Sequence, residues 1–256
     1  MAFIQMEFYS AMLTRHTEIA VILPESRQQE SYPVLWLLHG ACDNDSGWWR
    51  NTAVELYAEQ HGVAVVMPSG DNSFYSNGPL GRYFDYVADE LYDKLCTMMP
   101  LSRDRADHVV GGLSMGGHGA YKLGLMRPDR YAGIAVLSAG NFIDLGDPAP
   151  GSAFADINQK LFGTTDMSRL VGTEHDIVHL GDMAAQSGAE LPELYVCCGT
   201  EDLAFGSAQQ TYLHMTGKLG MSGQWHARPG KHDWAFWGMM IPEVMAWCAQ
   251  LTGRSQ

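Results

Sequence analysis

One stretch decides the fold: Asp107-His108-Val109-Val110-Gly111-Gly112-Leu113-Ser114-Met115-Gly116-Gly117-His118-Gly119-Ala120. The paired valines after its polar lead-in are typical of a buried strand, and the run that continues to Met126 and stops before Pro128 is typical of a helix. Between the two lies a G-x-S-x-G pentapeptide, residues 112–116. A strand, a sharp turn and a helix in this order indicate a nucleophile elbow, where a serine hydroxyl stands at the end of a sheet.

The glycines of the pentapeptide have a steric explanation. A serine held in a strained turn leaves no room for side chains two residues before and after it, so Gly112 and Gly116 let the strand and the helix pass closely. Ser114 would then lie near the positive end of the following helix. Because glycine-rich turns also close ordinary helices, the pentapeptide indicates catalysis only together with its flanking elements and with partners elsewhere in the chain.

The composition is that of a compact globular protein. The 256 residues suit one α/β domain spanning 1–256, with 46% hydrophobic and 18% charged residues. The formal net charge of −13 argues against nucleic acid as a partner, and no apolar run reaches membrane-spanning length. Five cysteines without paired spacing, and an N-terminus without the features of an export signal, predict free thiols in a reducing cytoplasm.

Hydrophobic patterns predict strands and helices in alternation. Residues 2–10 and 15–23 predict an antiparallel pair at the edge of a sheet. Further strands are predicted at 34–38, 63–67, 132–137, 194–198 and 224–228, and helices at 51–61, 83–99, 205–219 and 234–251. This alternation predicts an α/β fold with a mostly parallel sheet, helices on both faces and a ligand site at the carboxyl ends of the strands.

Residues 141–190 interrupt this alternation. Proline and glycine are concentrated at 146–151, and short helices are predicted near 154–162 and 174–187. Because no linker flanks the segment, we interpret it as a small helical, cap-like insertion that packs over the strand ends and not as a second domain.

An elbow serine needs a base to take its proton and an acid to orient that base. In the chain order expected for this motif, an acid and then a histidine follow the serine. Asp202 comes directly after one predicted strand, and His232 lies between the last strand and the last helix. Glu201 remains an alternative acid, whereas Asp233 is in the position of a helix N-cap.

Two backbone N–H donors must stabilise the oxyanion that forms during acyl transfer. The amide of Met115, which follows the serine, is the first candidate. The second is expected from the loop after the strand at 34–38, with Ala41 the favoured donor. His39-Gly40 allows the backbone to approach closely there, although the same pair also fits an ordinary turn.

Aromatic residues are concentrated in the loops at the predicted active end of the sheet. Any one of them fits core packing, but several together predict the wall of a small acyl or alcohol pocket. The substrate-binding candidates are His39, Gly40, Trp48, Phe74, Tyr75 and Trp234.

A possible metal motif lies in the insertion, with His175 and His179 at i and i+4 and Asp182 close by. Gly181 interrupts the helix before a third ligand, and an Asp occupies the place of the Glu in H-E-x-x-H. We therefore predict a solvated helix face and no metal site.

Five segments spread along most of the chain form one shared pattern: Leu37–Gly40, Asn72–Asn77, Gly112–Gly117, Cys198–Asp202 and His232–Trp237. With this pattern the chain resembles the esterase D branch of the α/β hydrolases, closest to small serine carboxylesterases of the tributyrin-esterase type. The resemblance implies short acyl esters, acetyl to butyryl, as substrates, no cofactor and, at family level, a dimer or tetramer. It also implies an active site with Ser114 as nucleophile, His232 as base, Asp202 as acid and the amides of Ala41 and Met115 as oxyanion hole.

Other activities remain open at this stage. The segment 114–120 also resembles the elbow of S-formylglutathione hydrolases, but their first loop begins without this His and carries a Cys one place later than Cys42. Carbohydrate acetyl and feruloyl esterases share the fold but are usually secreted. Outside the enzymes, the alternative is an inactive hydrolase scaffold acting as a binding module, and acyl transfer to an acceptor other than water would use the same residues.

Overall fold

The computed structural model describes residues 1–25 and 30–253, and within them an eight-stranded sheet forms the centre of the fold. Along the sheet the strands lie in the order β1-β2-β4-β3-β7-β8-β9-β10, and a separate small hairpin contains β5 and β6. Their bounds are β1 Ala2–Ser10, β2 Arg15–Leu23, β3 Val34–Leu38, β4 Ala64–Pro68, β5 Asn77–Gly78, β6 Gly81–Arg82, β7 His108–Leu113, β8 Gly133–Leu137, β9 Glu193–Gly199 and β10 Gly223–Arg228.

Strand direction follows the predicted pattern. β1 pairs antiparallel with β2, and β2 pairs antiparallel with β4, while the neighbours from β4 to β10 are parallel. The predicted antiparallel pair at the edge and the mostly parallel centre are therefore confirmed.

Helices cover both faces of this sheet. Their bounds are α1 Gly47–Asn51, α2 Val54–His61, α3 Tyr83–Asp85, α4 Tyr92–Met98, α5 Met115–Met126, α6 Ala153–Phe162, α7 Ile177–Gln186, α8 Phe205–Leu213 and α9 Trp234–Leu251. π-Helical segments connect α3 to α4 (Tyr86–Leu91) and continue α8 (His214–Lys218), and short 3₁₀ turns occupy Arg105–Asp107, Phe142–Leu145 and Met167–Leu170. Within the described ranges, no helix is long and apolar enough to cross a membrane.

The core consists of two apolar layers, one on each face of the sheet. On β3, Trp36 and Leu38 belong to the layer that includes α5, whereas Leu35 and Leu37 belong to the layer that includes α9. Successive side chains of a strand point to opposite faces, so a strand covered on both sides must be apolar throughout. This explains the uninterrupted run Val-Leu-Trp-Leu-Leu at 34–38.

Helix boundaries depart from the predictions in three places. The helix predicted for 51–61 begins at Val54 as α2 and is preceded by a separate short helix, α1, and the helices predicted for 83–99 and 205–219 each contain a π-helical segment. A π-helical turn adds one residue to an α-helix and leaves the helix buried on nearly the same face. The 3.6-residue apolar pattern of the sequence therefore does not distinguish it from an α-helical turn. The insertion at 141–190 contains α6, α7 and short turns, as predicted; the assignment of 1–256 to one domain stays a prediction, and 26–29 and 254–256 lie outside the described residues.

The turn after β7 brings backbone into contact with backbone. A Cβ placed on Gly116 would lie 2.5 Å from the carbonyl oxygen of Leu38 and 2.6 Å from that of His39. A Cβ on Gly112 would lie 2.5 Å from the carbonyl carbon of Gly116. Since backbone atoms cannot move aside as a flexible side chain can, only glycine fits at 112 and 116.

Substitution of Gly116 by Ala should therefore destabilise the protein and displace the turn. We expect Gly116→Ala to lower the free energy of unfolding by about 1–3 kcal/mol, measured by urea denaturation, because the added methyl overlaps the end of β3. Gly206→Ala on α8 is the matched control: an added Cβ there has nothing within 4 Å, and helix propensity predicts an unchanged or slightly higher stability. Equal stability of the two variants would contradict the steric argument.

Candidate active site

Three side chains from separate parts of the chain meet at the carboxyl end of the sheet. Ser114 follows β7, Asp202 follows β9, and His232 follows β10. His232 Nε2 lies 2.9 Å from Ser114 Oγ, and His232 Nδ1 lies 2.9 and 3.0 Å from the two carboxylate oxygens of Asp202. The geometry is that of a nucleophile, a base and an acid within hydrogen-bonding reach of one another.

Ser114 lies at the N-terminus of α5 with φ 51° and ψ −119°. A non-glycine residue with positive φ is strained, and such strain accumulates at functional sites. The backbone is held in this state because Ser114 N donates to Leu137 O on β8 and Ser114 O accepts from His118 N. The turn therefore directs the hydroxyl away from the helix it caps; its side chain makes no capping bond.

The protonation pattern of the site follows from Asp202. Burial alone would raise the pKa of Asp202, but hydrogen bonds from His232, the Ala204 amide and the Ser138 hydroxyl outweigh burial and hold that pKa below its ordinary value. The ionised carboxylate accepts the Nδ1 proton of His232. The Nε2 lone pair then faces the Ser114 hydroxyl, as a general base requires.

The structure separates the rival acids. Asp202 is buried, whereas Glu201 is exposed, and only Asp202 is bonded to His232. Asp233 accepts a hydrogen bond from Phe236 N at 3.0 Å and caps α9, in agreement with the helix-cap interpretation.

The two amides expected in the oxyanion hole belong to segments beside Ser114: Met115 follows it in the chain, and a Cβ on Gly40, the residue before Ala41, would lie 3.6 Å from Ser114 Cβ. Met115 is the first residue of α5, where a backbone N–H has no partner inside its own helix. Within residues 1–25 and 30–253, neither the Met115 amide nor the Ala41 amide donates to another protein group. Both donors are therefore available to a bound oxygen atom.

The loop that carries Ala41 is held from behind by His39. Its Nδ1 contacts Gly40 O at 2.7 Å, its Nε2 accepts from Gly70 N at 2.8 Å, and its carbonyl accepts from the Tyr75 hydroxyl at 3.1 Å. The Cys42 amide also donates to the Asn72 side chain at 2.7 Å. The loops at 39–42 and 70–75 are thus joined into one unit, which sets the position of the 41 amide.

Beside Ser114 and His232 opens a cavity of about 420 Å³ with a largely apolar wall. Much of this wall comes from the insertion and from the residues before α8. The apolar lining residues include Phe74, Met115, Phe142, Leu145, Pro148, Ala149, Phe154, Met167 and Leu203. A cavity of this size next to the serine can hold one half of a small ester.

Of the six substrate-binding candidates, only Phe74 is among the residues that line this cavity. His39 and Tyr75 are buried and use their polar atoms to join the two loops. Trp48 is also buried, and its indole N–H donates to Leu38 O at 2.9 Å. These aromatic rings pack the loops from behind and do not form the wall of this cavity.

Gly40 and Trp234 likewise lie outside the lining of this cavity. A Cβ on Gly40 would lie 2.6 Å from the Leu113 side chain, so its role is to allow close approach. Trp234 packs edge-on between Trp48 and Trp237, and Trp237 packs edge-on against His232 at 5.2 Å. These indoles support the His232 ring, which explains why aromatic residues surround that histidine in the sequence.

Sequence reasoning missed Ser138 and most of the cavity wall. Ser138 follows β8, lies in the cavity wall and accepts a hydrogen bond from Trp237 Nε1 at 2.9 Å. Its position directly after a parallel strand is the signal that could have identified it. The lining residues of the insertion carry no such signal, because an irregular segment does not reveal which of its side chains turn inward.

The His and Asp side chains of the possible metal motif contact other groups. Asp182 binds His214 at 2.9 Å, Asp176 caps α7, and His175 Nδ1 lies 3.4 Å from the Lys122 ammonium. In the described part of the chain, no cluster of three or more His, Cys, Asp or Glu side chains has the arrangement of a metal site.

A mostly parallel sheet with helices on both faces and a serine on the turn between a strand and a helix defines the α/β hydrolases. Residues 10–248 match the sequence model of the family described as "Putative esterase", and the chain belongs to that family.

Named relatives agree with this assignment. The acetyl esterase of Caldicellulosiruptor saccharolyticus is 30% identical over 98% of this chain and 100% of its own length. Among solved structures, the fluorophosphonate-binding serine hydrolase FphF of Staphylococcus aureus has a TM-score of 0.86 at 30% identity, covering 97% of this chain and 98% of its own. The S-formylglutathione hydrolase FrmB of the same organism has a TM-score of 0.84 at 31% identity, with the same coverage. The protein is an esterase, a serine hydrolase that acts on carboxylic ester bonds.

The lowered pKa of Asp202 predicts a pH dependence of stability. A carboxylate whose folded-state pKa lies below its ordinary value of about 3.9 stabilises the fold above that value, and the contribution is lost as the pH falls through the folded-state pKa. Thermal unfolding of the wild type and Asp202→Asn between pH 7 and pH 3 should show the wild type losing stability relative to the variant below about pH 4. Glu201→Gln, at an exposed neighbour, is the control and should change the melting temperature little. A wild-type-minus-Asp202→Asn difference that is constant with pH would contradict the interpretation.

Proposed function

We propose that the protein is a carboxylesterase for short-chain acyl esters, acetyl to butyryl, that works through an acyl-enzyme on Ser114. The proposal rests on two contacts of the His232 ring. Its Nε2 lies 2.9 Å from Ser114 Oγ, and its Nδ1 lies 2.9 Å from Asp202 Oδ1. The acetyl esterase relative at 30% identity supports the acetyl end of this range.

In the first half of the reaction, His232 Nε2 takes the proton of the Ser114 hydroxyl as Oγ attacks the ester carbonyl carbon. The amides of Met115 and Ala41 donate to the oxygen as it becomes an oxyanion, and Asp202 stabilises the imidazolium that forms. His232 then gives its proton to the departing alkoxide, which leaves as the alcohol. Ser114 remains acylated.

In the second half, water takes the place of the alcohol. His232 Nε2 removes a proton from the water as its oxygen attacks the acyl carbon, and the same two amides stabilise the second oxyanion. The protonated His232 returns the proton to Ser114 Oγ as the acyl–oxygen bond breaks. The acid is released, and the enzyme is restored without a cofactor.

A second candidate is hydrolysis of S-formylglutathione, which is favoured by the 31% identical FrmB structure. Thioester and ester carbonyls would use the same serine and the same amides. The loop at 39–42 begins with His39 and carries its cysteine at 42, an arrangement that differs from the one expected of that activity and places the oxygen ester first.

We propose that the protein is cytoplasmic, because its cysteines are free thiols. All five are free, four of them are buried, and Cys42 is exposed as a thiol. An exposed unpaired thiol fits a reducing compartment. Assembly into a homo-oligomer stays a prediction of the family resemblance.

Ser114→Ala tests the nucleophile. We expect kcat for p-nitrophenyl acetate to fall by a factor on the order of 10⁵–10⁶, because no other group can form the acyl-enzyme. The melting temperature should change little, and a fluorophosphonate probe, read by intact mass, should add to the wild type but not to the variant. Ser187→Ala, at the distant end of α7, is the control for labelling. Retained turnover or retained labelling in Ser114→Ala would remove the serine from the mechanism.

A chain-length series tests the substrate range. We expect kcat/KM to be highest between p-nitrophenyl acetate and p-nitrophenyl butyrate and to fall for the octanoate, and we expect S-formylglutathione to be turned over less efficiently than the best oxygen ester. A maximum at eight carbons or more would refute the short-chain assignment. A higher kcat/KM for S-formylglutathione than for every oxygen ester would show that the protein is a thioesterase of the S-formylglutathione hydrolase type.

A further inference from the structure

The cavity contains a histidine that the mechanism does not use. His118 lies one helical turn after Ser114 on α5 and is among the residues that line the cavity. Its side chain is 1% exposed, and neither ring nitrogen has a hydrogen-bond partner within the described residues. The ring is held edge-on between Phe74 and Phe142, with centroids 5.8 and 4.7 Å away. A fixed, buried imidazole without a partner is costly, because the desolvation of its two polar atoms is not repaid.

The imidazole is neutral at physiological pH. Burial lowers the pKa of His118 well below its ordinary value, Lys122 and His175 lower it further, and the carbonyl of Gly140 acts in the opposite direction. A neutral imidazole offers one N–H donor and one lone-pair acceptor. Its best partner is a group that both accepts and donates.

Asn158, on α6 of the insertion, is a second polar side chain in the same wall. It is 5% exposed, and its amide nitrogen contacts the Met167 sulfur at 3.5 Å. Its carbonyl oxygen has no partner among the described residues. The other buried side-chain atoms without partners belong to Trp49, Tyr86, Tyr121 and Tyr131, none of which lines this cavity. In the described structure, two residues of the cavity lining, one on the core helix and one on the insertion, thus carry unpaired polar atoms.

We propose that His118 and Asn158 form a polar subsite that binds a hydroxyl group of the ester substrate. This inference rests on the proposed esterase function and adds to it a substrate class, short esters that carry a hydroxyl near the scissile bond. A hydroxyl donates one hydrogen bond and accepts another, which matches the neutral imidazole and the amide oxygen. A carboxylate has no proton for Asn158, an ammonium cannot accept from His118, and either charge would be desolvated among phenylalanines.

The spacing limits where the hydroxyl lies on the substrate. Residues four apart on a helix are about 5–6 Å apart at Cβ, so a group bound by His118 lies a few bonds from the carbonyl held at Ser114. The hydroxyl belongs to the acyl half or to the alcohol half of the ester, whichever half enters this cavity. Both halves present the same chemistry to the subsite, and paired esters distinguish them.

The test compares matched esters with and without the hydroxyl. The acyl pair is methyl 3-hydroxybutyrate and methyl butyrate, and the alcohol pair is 3-hydroxybutyl acetate and butyl acetate. Dissociation constants are measured by ligand-observed NMR on Ser114→Ala, which does not need turnover, and kcat/KM ratios are measured on the wild type. We expect the hydroxyl ester of one pair to bind about tenfold more tightly than its partner, the size of one well-formed neutral hydrogen bond.

Two variants in the Ser114→Ala background test the assignment of residues. His118→Phe keeps a planar ring without nitrogens, and Asn158→Leu keeps the volume without the amide. In each variant the ratio of the two dissociation constants within the ester pair should fall to near one. His16→Phe, on the exposed part of β2, is the matched control and should keep the preference. Asn158→Leu decides the matter if His118→Phe does not fold.

Equal affinities within both pairs would overturn the subsite and would mean that water satisfies these groups. A preference that survives both substitutions would also overturn it. If the hydroxyl esters bind preferentially but the wild type hydrolyses no ester, the proposed function is rejected and the subsite is kept. If the wild type hydrolyses the esters without preferring those with a hydroxyl, the subsite is rejected and the proposed function is kept.

Discussion

The close approach of α5 to the end of β3 is the constraint on which the site depends. Gly116 lies against the carbonyl groups of residues 38 and 39 with no space for a methyl group. This contact brings the loop that begins at His39 beside the serine turn, where a Cβ on Gly40 would lie 3.6 Å from Ser114 Cβ. One backbone contact therefore holds the serine turn and the loop that carries Ala41 together.

The parallel direction of the strands supplies the other groups. β7, β9 and β10 run the same way, so the residues that follow them, 114, 202 and 232, arrive at one edge although 118 positions separate the first from the last. The packing behind them sets their orientation. A series of edge-on indoles, ending with Trp237, holds the His232 ring. Hydrogen bonds from His232, the Ala204 amide and the Ser138 hydroxyl together hold the pKa of Asp202 below its ordinary value. Such supporting contacts keep the base in one tautomer and one position.

The proposed catalytic side chains and the cavity wall come from different parts of this chain. The serine, the base and the acid lie at the ends of sheet strands, where the backbone is rigid. The cavity wall is supplied largely by 142–167 and 203–207, which are outside the regular alternation. A core helix and an insertion helix both bring unpaired polar atoms to that wall, so the shape and the polarity of the cavity depend on how the insertion packs against α5.

The sequence by itself determined which apolar runs form strands, the antiparallel edge and the place of the serine turn, because these depend on local periodicity and on glycine at 112 and 116. It also placed Asp202 and His232, since chain order and strand ends restrict the choice. It left Glu201 open as the acid, and only the tertiary structure shows that Asp202 is buried and bonded to His232 whereas Glu201 is exposed. Likewise, no pattern distinguished Phe74, which lines the cavity, from Tyr75, which is buried beside it. Which side of an irregular loop faces a cavity depends on contacts between segments far apart in the chain, and only the folded structure contains them.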